Sequence, residues 1–321
     1  MKTAKWVVIF IVLAVVVGCP LLMKNNSTEA KIEAPKTSGF DGAYAVQLVK
    51  AQTDFGPRVP GTSAHKKCGD WLVQEFKKSG ADVIENTGSA ETFDGKKIPV
   101  RNIIARFLKD NKERMILSAH WDTRPFTDQD PNPAVQNNPG PGANDGGSGV
   151  AVLLEVARNL KLKAPKIGVD LILWDAEDWG GGGSNDSYCL GTQMWAKKPH
   201  VLGYTARFGV NLDMVGGAGA IFPAEYYSAS QAYPVLEKLY QAAAVAKASA
   251  YFVRTPAGSI VDDHYYVMQG TGIKMADVIH LQKNGGFYEY WHTQQDTADK
   301  ISKDTLEAVG KTMLALIEAE K

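Results

Sequence analysis

Acidic and histidine residues gather in five separated stretches: His120-Trp121-Asp122; Asp145 within Gly142-Ala143-Asn144-Asp145-Gly146-Gly147; Asp175-Ala176-Glu177-Asp178, followed by Trp179 and a glycine run (180–183); Asp213; and Tyr290-Trp291-His292-Thr293. One carboxylate of this kind is ordinarily a helix cap or a surface charge. Recurrence in five stretches, each at or beyond the end of an apolar run, argues for a shared site, because open α/β sheets bind ligands at the carboxyl ends of their strands. Asp and His are residue types that a divalent zinc takes as ligands, and a zinc site that does chemistry keeps a position open. Glu177 and Asp178 cannot point the same way in extended backbone, so one can ligate a metal while the other faces a substrate. That division suits a metal ligand beside a general acid/base.

The elements that must position these residues are legible as apolar or β-branched runs at 100–107, 115–119, 169–174, 210–215 and 273–279, which predict core strands. Amphipathic stretches open at Asp41-Gly42 and at Thr62-Ser63, the second ending at Gly80, and further helical stretches cover 150–160, 233–246 and 306–319. No internal repeat or shift of composition divides the body. The expected fold is a single α/β domain, three αβα layers around a central, mostly parallel mixed sheet.

Lys+Arg and Asp+Glu both number 35, so a polyanion-binding surface is not expected and nucleic acid is excluded as a partner class. Hydrophobic residues at 45% and charged residues at 22% argue against disorder or a polytopic membrane protein. Lys2 and Lys5 precede an apolar run at 6–17, too short for a comfortable membrane span and shaped like the core of a secretory signal. The run ends Val16-Val17-Gly18-Cys19, which resembles a bacterial lipobox. The expectation is therefore a signal peptide (1–18), a tether (19–40) attached to a membrane through a lipid on Cys19, and a catalytic body (41–321) in the bacterial periplasm; the alternative is a plain signal cut nearby. Cys68 and Cys189 are too few for a disulfide framework and are expected as buried thiols, with a bridge as the alternative.

The stretches Ser118-Ala119-His120-Trp121-Asp122, Gly142-Ala143-Asn144-Asp145, Trp174-Asp175-Ala176-Glu177-Asp178, Asn211-Leu212-Asp213, Val261-Asp262-Asp263-His264 and Trp291-His292-Thr293 together resemble the zinc-dependent exopeptidase clan (peptidase family M28), and within it the glutaminyl cyclases. The resemblance covers roughly residues 41–321. It implies one zinc per chain held by Asp145, Asp178 and His292, with Glu177 as the proton-shuttling carboxylate and Asp213 and Asp262 as acids around it. It also implies substrate contacts from Trp291, Trp179 and His280. The implied reaction converts an N-terminal glutaminyl residue of a peptide or protein to pyroglutamyl with loss of ammonia, carried out by a monomer. Asp178 stands where animal relatives carry Glu, a shorter arm of equivalent ligand type.

Two other readings remain at this point. A two-zinc aminopeptidase of the same clan would recruit His120 and Asp213 to a second ion bridged by Asp145, and a non-catalytic binding domain could use the same fold. Trp291 before His292, the Asp262-Asp263-His264 segment and the Asp54-Phe55-Gly56-Pro57-Arg58-Val59-Pro60-Gly61 segment favour the cyclase. Asp122 is expected to orient His120. The proline-rich stretch 123–141 is expected to border the substrate entrance.

Overall fold

The computed structural model describes residues 33–321 except 182 and 283, so the signal and Cys19 anchor expected at the N-terminus lie outside the described residues. In chain order the elements are α1 (Gly42–Thr53), α2 (Ser63–Lys78), β1 (Asp82–Glu91), β2 (Lys97–Phe107), β3 (Arg114–His120), α3 (Ser148–Leu162), β4 (Gly168–Trp174), α4 (Leu190–Lys197), β5 (Phe208–Asp213), β6 (Phe222–Ala224), α5 (Tyr226–Gln231), α6 (Tyr233–Val245), β7 (Phe252–Pro256), α7 (Asp263–Thr271), β8 (Met275–Ile279) and α8 (Lys303–Ala319). The main sheet has the order β1-β2-β4-β3-β5-β8. Strands β4, β3, β5 and β8 are parallel, while β2 is antiparallel to both β4 and β1.

All five sequence-predicted strands are present, and the mixed, mostly parallel α/β architecture holds. Strands β3 and β4 are buried at every residue, as continuous apolar runs in a doubly covered sheet should be. β1 was not foreseen: DVIENTGSAE is polar and only half-buried, because it lies at the sheet edge. Helices α1, α2, α3 and α8 pack together on one face and α4 and α7 on the other.

Local chemistry sets the helix ends. Asp41 accepts from the Tyr44 amide at 2.9 Å and Thr62 from the His65 amide at 3.2 Å, the N-cap bonds that Asp and Thr make. Gly80, with φ +80°, follows α2 in the left-handed conformation that stops a helix. The packed body takes in Ala34 onward: Arg158 donates to the Pro35, Thr37 and Gly39 carbonyls at 2.8–2.9 Å, pinning residues upstream of position 41 against α3. Cys68 and Cys189 are free and buried.

Far from the strand ends, the neutral ring of His200 accepts from Trp195 Nε1 through Nδ1 at 3.0 Å. Burial pushes its pKa down to about 4 from 6.5. A depressed folded pKa contributes stability that is whole above about pH 6.5 and is lost as pH falls towards 4. Relative to His200→Gln, which keeps an acceptor and cannot titrate, the wild type should lose about 1–3 kcal/mol over that window in denaturant titrations, the range allowing for the partial exposure of the ring. Parallel curves for the two proteins would contradict this assignment.

Candidate metal centre and active site

The parallel strands deliver their carboxyl ends to one side of the body, and the acidic stretches meet there. His120 ends β3, Asp175 to Asp178 follow β4, Asp213 ends β5, and His280 follows β8. Asp145 lies between β3 and α3, and His292 lies between β8 and α8. Among the described residues, four of the six non-glycine residues with positive φ sit here: Ala176 (+54°) before Glu177, Cys189 (+54°), Met214 (+50°) after Asp213, and His292 itself (+54°). Each such conformation costs on the order of 1–3 kcal/mol and persists only where surrounding contacts impose it.

Asp145, Asp178 and His292 each turn one ligand atom into a space where all three atoms lie within 4.8 Å of one another. His292 Nε2 is 3.0 Å from Asp178 Oδ1 and 3.6 Å from Asp145 Oδ2. Two carboxylate oxygens and an imidazole nitrogen are a donor set that zinc takes with a further position open. The remaining ring nitrogen, His292 Nδ1, faces Asp128 Oδ1 at 3.4 Å, the outer carboxylate that metal-bound imidazoles commonly carry. The residues present therefore fit zinc.

The supports of these ligands come from remote parts of the chain. Asp296 accepts from the Asn144 and Asp145 amides at 2.9 and 3.0 Å, holding the loop that presents Asp145. Its pKa is raised to about 7, by burial first and then by the nearby Asp145 carboxylate. Arg58, fully buried, donates to the carbonyls of Trp121, Pro141 and Gly142 at 3.1, 2.9 and 2.5 Å, tying the end of β3 to the same loop. Arg124 reaches Asp178 Oδ1 at 3.3 Å and the Asp178 carbonyl at 3.0 Å while forking onto Asp128. One guanidinium thus braces both the Asp178 and His292 sides of the cluster.

Asp122 does something other than orient His120: its Oδ1 is 3.7 Å from His120 Nδ1, beyond hydrogen-bond reach. Its two oxygens instead accept the Glu177 and Asp178 amides at 3.1 and 3.2 Å, which sets the directions of the adjacent acids. Of that pair, the Asp178 side chain is 3% exposed and the Glu177 side chain 14%, so Glu177 is the one that reaches the opening. Burial, opposed by the neighbouring His120 and reinforced by Asp178, Asp262 and Asp263, raises the Glu177 pKa well above the ordinary carboxylate range. Asp175 is fully buried, accepting from His65 Nε2 at 2.8 Å, and His65 stacks on Trp121 at 4.2 Å between ring centroids.

His120 Nε2 lies 3.0 Å from Asp145 Oδ1 and 3.2 Å from Asp213 Oδ1, so one ring nitrogen joins the two carboxylates. Asp262 caps α7 and accepts from Asn211 Nδ2 at 2.8 Å; its carboxylate, Glu177 and Cys189 converge within 4.8 Å. Burial, with the Asp213 charge next, raises the Asp262 pKa to about 6.

Trp291 stacks on His292 with ring centroids 3.7 Å apart and meets Phe287 at 4.4 Å. With Ile260 these half-buried side chains lean on the core of Met214, Ile279, Leu281 and Tyr288, forming an apolar wall beside the ligands. His280 is 6% exposed and packs on Tyr288 at 5.4 Å, and burial lowers its pKa to about 4, which keeps it neutral. Trp179 packs with Val59, Ile98, Val100 and Ala176. The 123–141 stretch packs onto the ligand segment: the Gln129 amide donates to the His292 carbonyl at 3.2 Å and Asp130 accepts from the Gln294 amide at 2.8 Å. A groove of about 730 Å³, lined by Arg106, Leu108, Lys109 and Leu160, lies at the opposite end of the sheet from this cluster.

The sequence does not single out Asp296 or His65; of the other supports, Arg58 stands within the 54–61 segment, and Arg124 and Asp128 stand within the 123–141 stretch without a role of their own.

An open α/β sheet with this donor set at its parallel strand ends defines the class of zinc-exopeptidase-like proteins. Residues 102–317 match Peptidase family M28, and the chain belongs to that family. Among solved structures, a glutaminyl cyclase from Bacteroides thetaiotaomicron is 41% identical, covers 90% of this chain and 100% of its own, and superposes with a TM-score of 0.87. A Zn-dependent exopeptidase from Parabacteroides distasonis is 46% identical, covering 88% of this chain and 99% of its own with a TM-score of 0.85. Among curated proteins, aminopeptidase YwaD of Bacillus subtilis is 28% identical over 89% of this chain, which spans only 59% of that protein's length. Glutaminyl-peptide cyclotransferase of Drosophila melanogaster is 28% identical over 78% of this chain and 73% of its own.

Proposed function

We propose that the chain is a glutaminyl-peptide cyclotransferase acting on N-terminal glutaminyl peptides with one zinc per chain. The observation that carries this reading is the convergence of Asp145, Asp178 and His292 beside Glu177, in a chain of which 90% is covered by a 41% identical bacterial glutaminyl cyclase. Zinc bound by those three side chains would polarise the side-chain amide carbonyl of the substrate as a Lewis acid. The chain's own residues do the rest. In the reaction the substrate's α-nitrogen forms a bond to the side-chain amide carbon, and the bond from that carbon to the amide nitrogen breaks. Glu177 takes a proton from the attacking nitrogen and delivers it to the departing ammonia, so it ends as it began. The wall of Ile260, Phe287 and Trp291 packs the folded-back side chain and excludes water, favouring ring closure over hydrolysis. Asp213 and Asp262 flank the leaving nitrogen as acceptors, and His280 and Trp179 complete the pocket as substrate contacts.

A second reading, a two-zinc aminopeptidase, is favoured by one observation: His120, Asp145 and Asp213 also offer three ligand atoms within 4.8 Å of one another. The cyclase reading accounts for the same geometry through His120, whose Nε2 hydrogen joins both carboxylates. The deciding assay offers the purified chain a Gln-initiated peptide and follows products by mass spectrometry. Loss of ammonia with the peptide otherwise intact is expected; release of free glutamine would replace the first reading by the second.

We further propose that the N-terminal segment exports the chain to the bacterial periplasm and that a lipid on Cys19 is its membrane contact, the body being a monomer. Supporting this is the basic-apolar-small pattern before Cys19.

A further inference from the structure

Cys189 is fully buried, and its Sγ lies 3.4 Å from Glu177 Oε1. With Glu177 as the carboxylate that the proposed reaction requires, the only hydrogen in that contact belongs to the thiol, so the thiol donates. Burial holds the thiol far above its ordinary pKa, so it keeps that hydrogen. Three successive amides at the start of α4 lock its backbone to the Glu177 segment: Cys189 to the Glu177 carbonyl at 2.8 Å, Leu190 to Ala176 at 2.9 Å and Gly191 to Asp175 at 3.0 Å. A Cβ at Gly191 would fall 2.1 Å from the Asp175 carbonyl oxygen, so this approach admits only glycine. The same lock imposes the left-handed φ of +54° on Cys189. Backbone geometry, more than side-chain freedom, therefore aims Sγ at the carboxylate. The other oxygen, Oε2, is 3.9 Å from His120 Nδ1 and makes no hydrogen bond to it.

We propose that Cys189 is a positioning residue for Glu177: its thiol occupies Oε1 and leaves Oε2 as the oxygen that picks up and returns the proton. A thiol is a weak donor. It fixes the direction of the carboxylate while draining little of the basicity needed to take a proton from an amine. An alanine would leave Oε1 with an unmade hydrogen bond in a buried setting and Glu177 free to turn. The inference rests on Glu177 being the proton carrier.

The test uses the full zinc-loaded chain with Cys189→Ala and Cys189→Ser. C189A should lower kcat for a Gln-initiated peptide about 10-fold, the scale of one hydrogen bond to a charged group. KM and zinc content should stay within about twofold, because Cys189 touches neither substrate nor ligand in this account. C189S, which restores a donor at the same place, should recover most of the lost kcat. An unchanged kcat in C189A, or a C189S as impaired as C189A, would overturn the proposal. A readout independent of turnover is the infrared S–H stretch of Cys189, assigned by its loss in C189S. In Glu177→Ala the band should move to the higher frequency of an unbonded thiol, and a band that stays put overturns the pairing. If the wild type releases free amino acids, the proposed reaction fails; the same variants on that activity, together with the S–H band, still decide the role of Cys189.

Discussion

Glu177→Gln is expected to lower kcat by about 10²–10⁴-fold with zinc per chain unchanged. The side chain keeps its size and its acceptor for the Cys189 thiol, and the Asp122 clamp acts on the Glu177 backbone amide, so the segment should hold its shape. What is lost is the capacity to accept and return a proton. Because Asp178 carries the adjacent ligand atom and is clamped through its own amide, metal content should not follow activity down. A Glu177→Gln protein retaining near-wild-type turnover would remove Glu177 from the proton path. One that lost its zinc would make Glu177 a ligand.

Asp145→Ala should abolish zinc binding and turnover together, yet leave the metal-free protein folded. The fold survives in this account because Asp296 holds the backbone amides of Asn144 and Asp145, and Arg58 holds the carbonyl of Gly142, none of which needs the Asp145 side chain. Zinc at 100 times its dissociation constant stabilises a chain that binds it only when folded by about 2.7 kcal/mol. Chelation should therefore lower the thermal midpoint of the wild type and leave that of Asp145→Ala unmoved. A mutant that still responds to chelator would show that zinc is held elsewhere.

The parts of this architecture that follow from burial on both faces are legible in the sequence. β3, β4 and β5 are nearly continuous apolar runs, and the acids that end them read as site residues because strands of one direction bring their ends together. β1 escaped because an edge strand buries little and DVIENTGSAE carries no apolar run. α7 escaped because its cap, Asp262, and its first residues, Asp263 and His264, read as chemistry. The ligand triad and Glu177 were legible through the resemblance to a family; neither composition nor periodicity singles out Asp178 over Asp175. Asp128 and Asp296 were not legible at all. Each is an aspartate in a polar stretch, identical in sequence to a surface charge, and only folding sets Asp296 against an amide 152 residues away. Cys189 was hidden for the same reason: a small buried thiol looks like core until the carboxylate beside it is seen.

The most direct test of the central claim is a crystal structure of the zinc-loaded chain with anomalous data collected at the zinc edge. A single ion bound by Asp145, Asp178 and His292 is expected, with His120 still joining Asp145 to Asp213 through its ring nitrogen. A second ion bridged by Asp145 and held by His120 and Asp213, or an ion bound away from the triad, would contradict it.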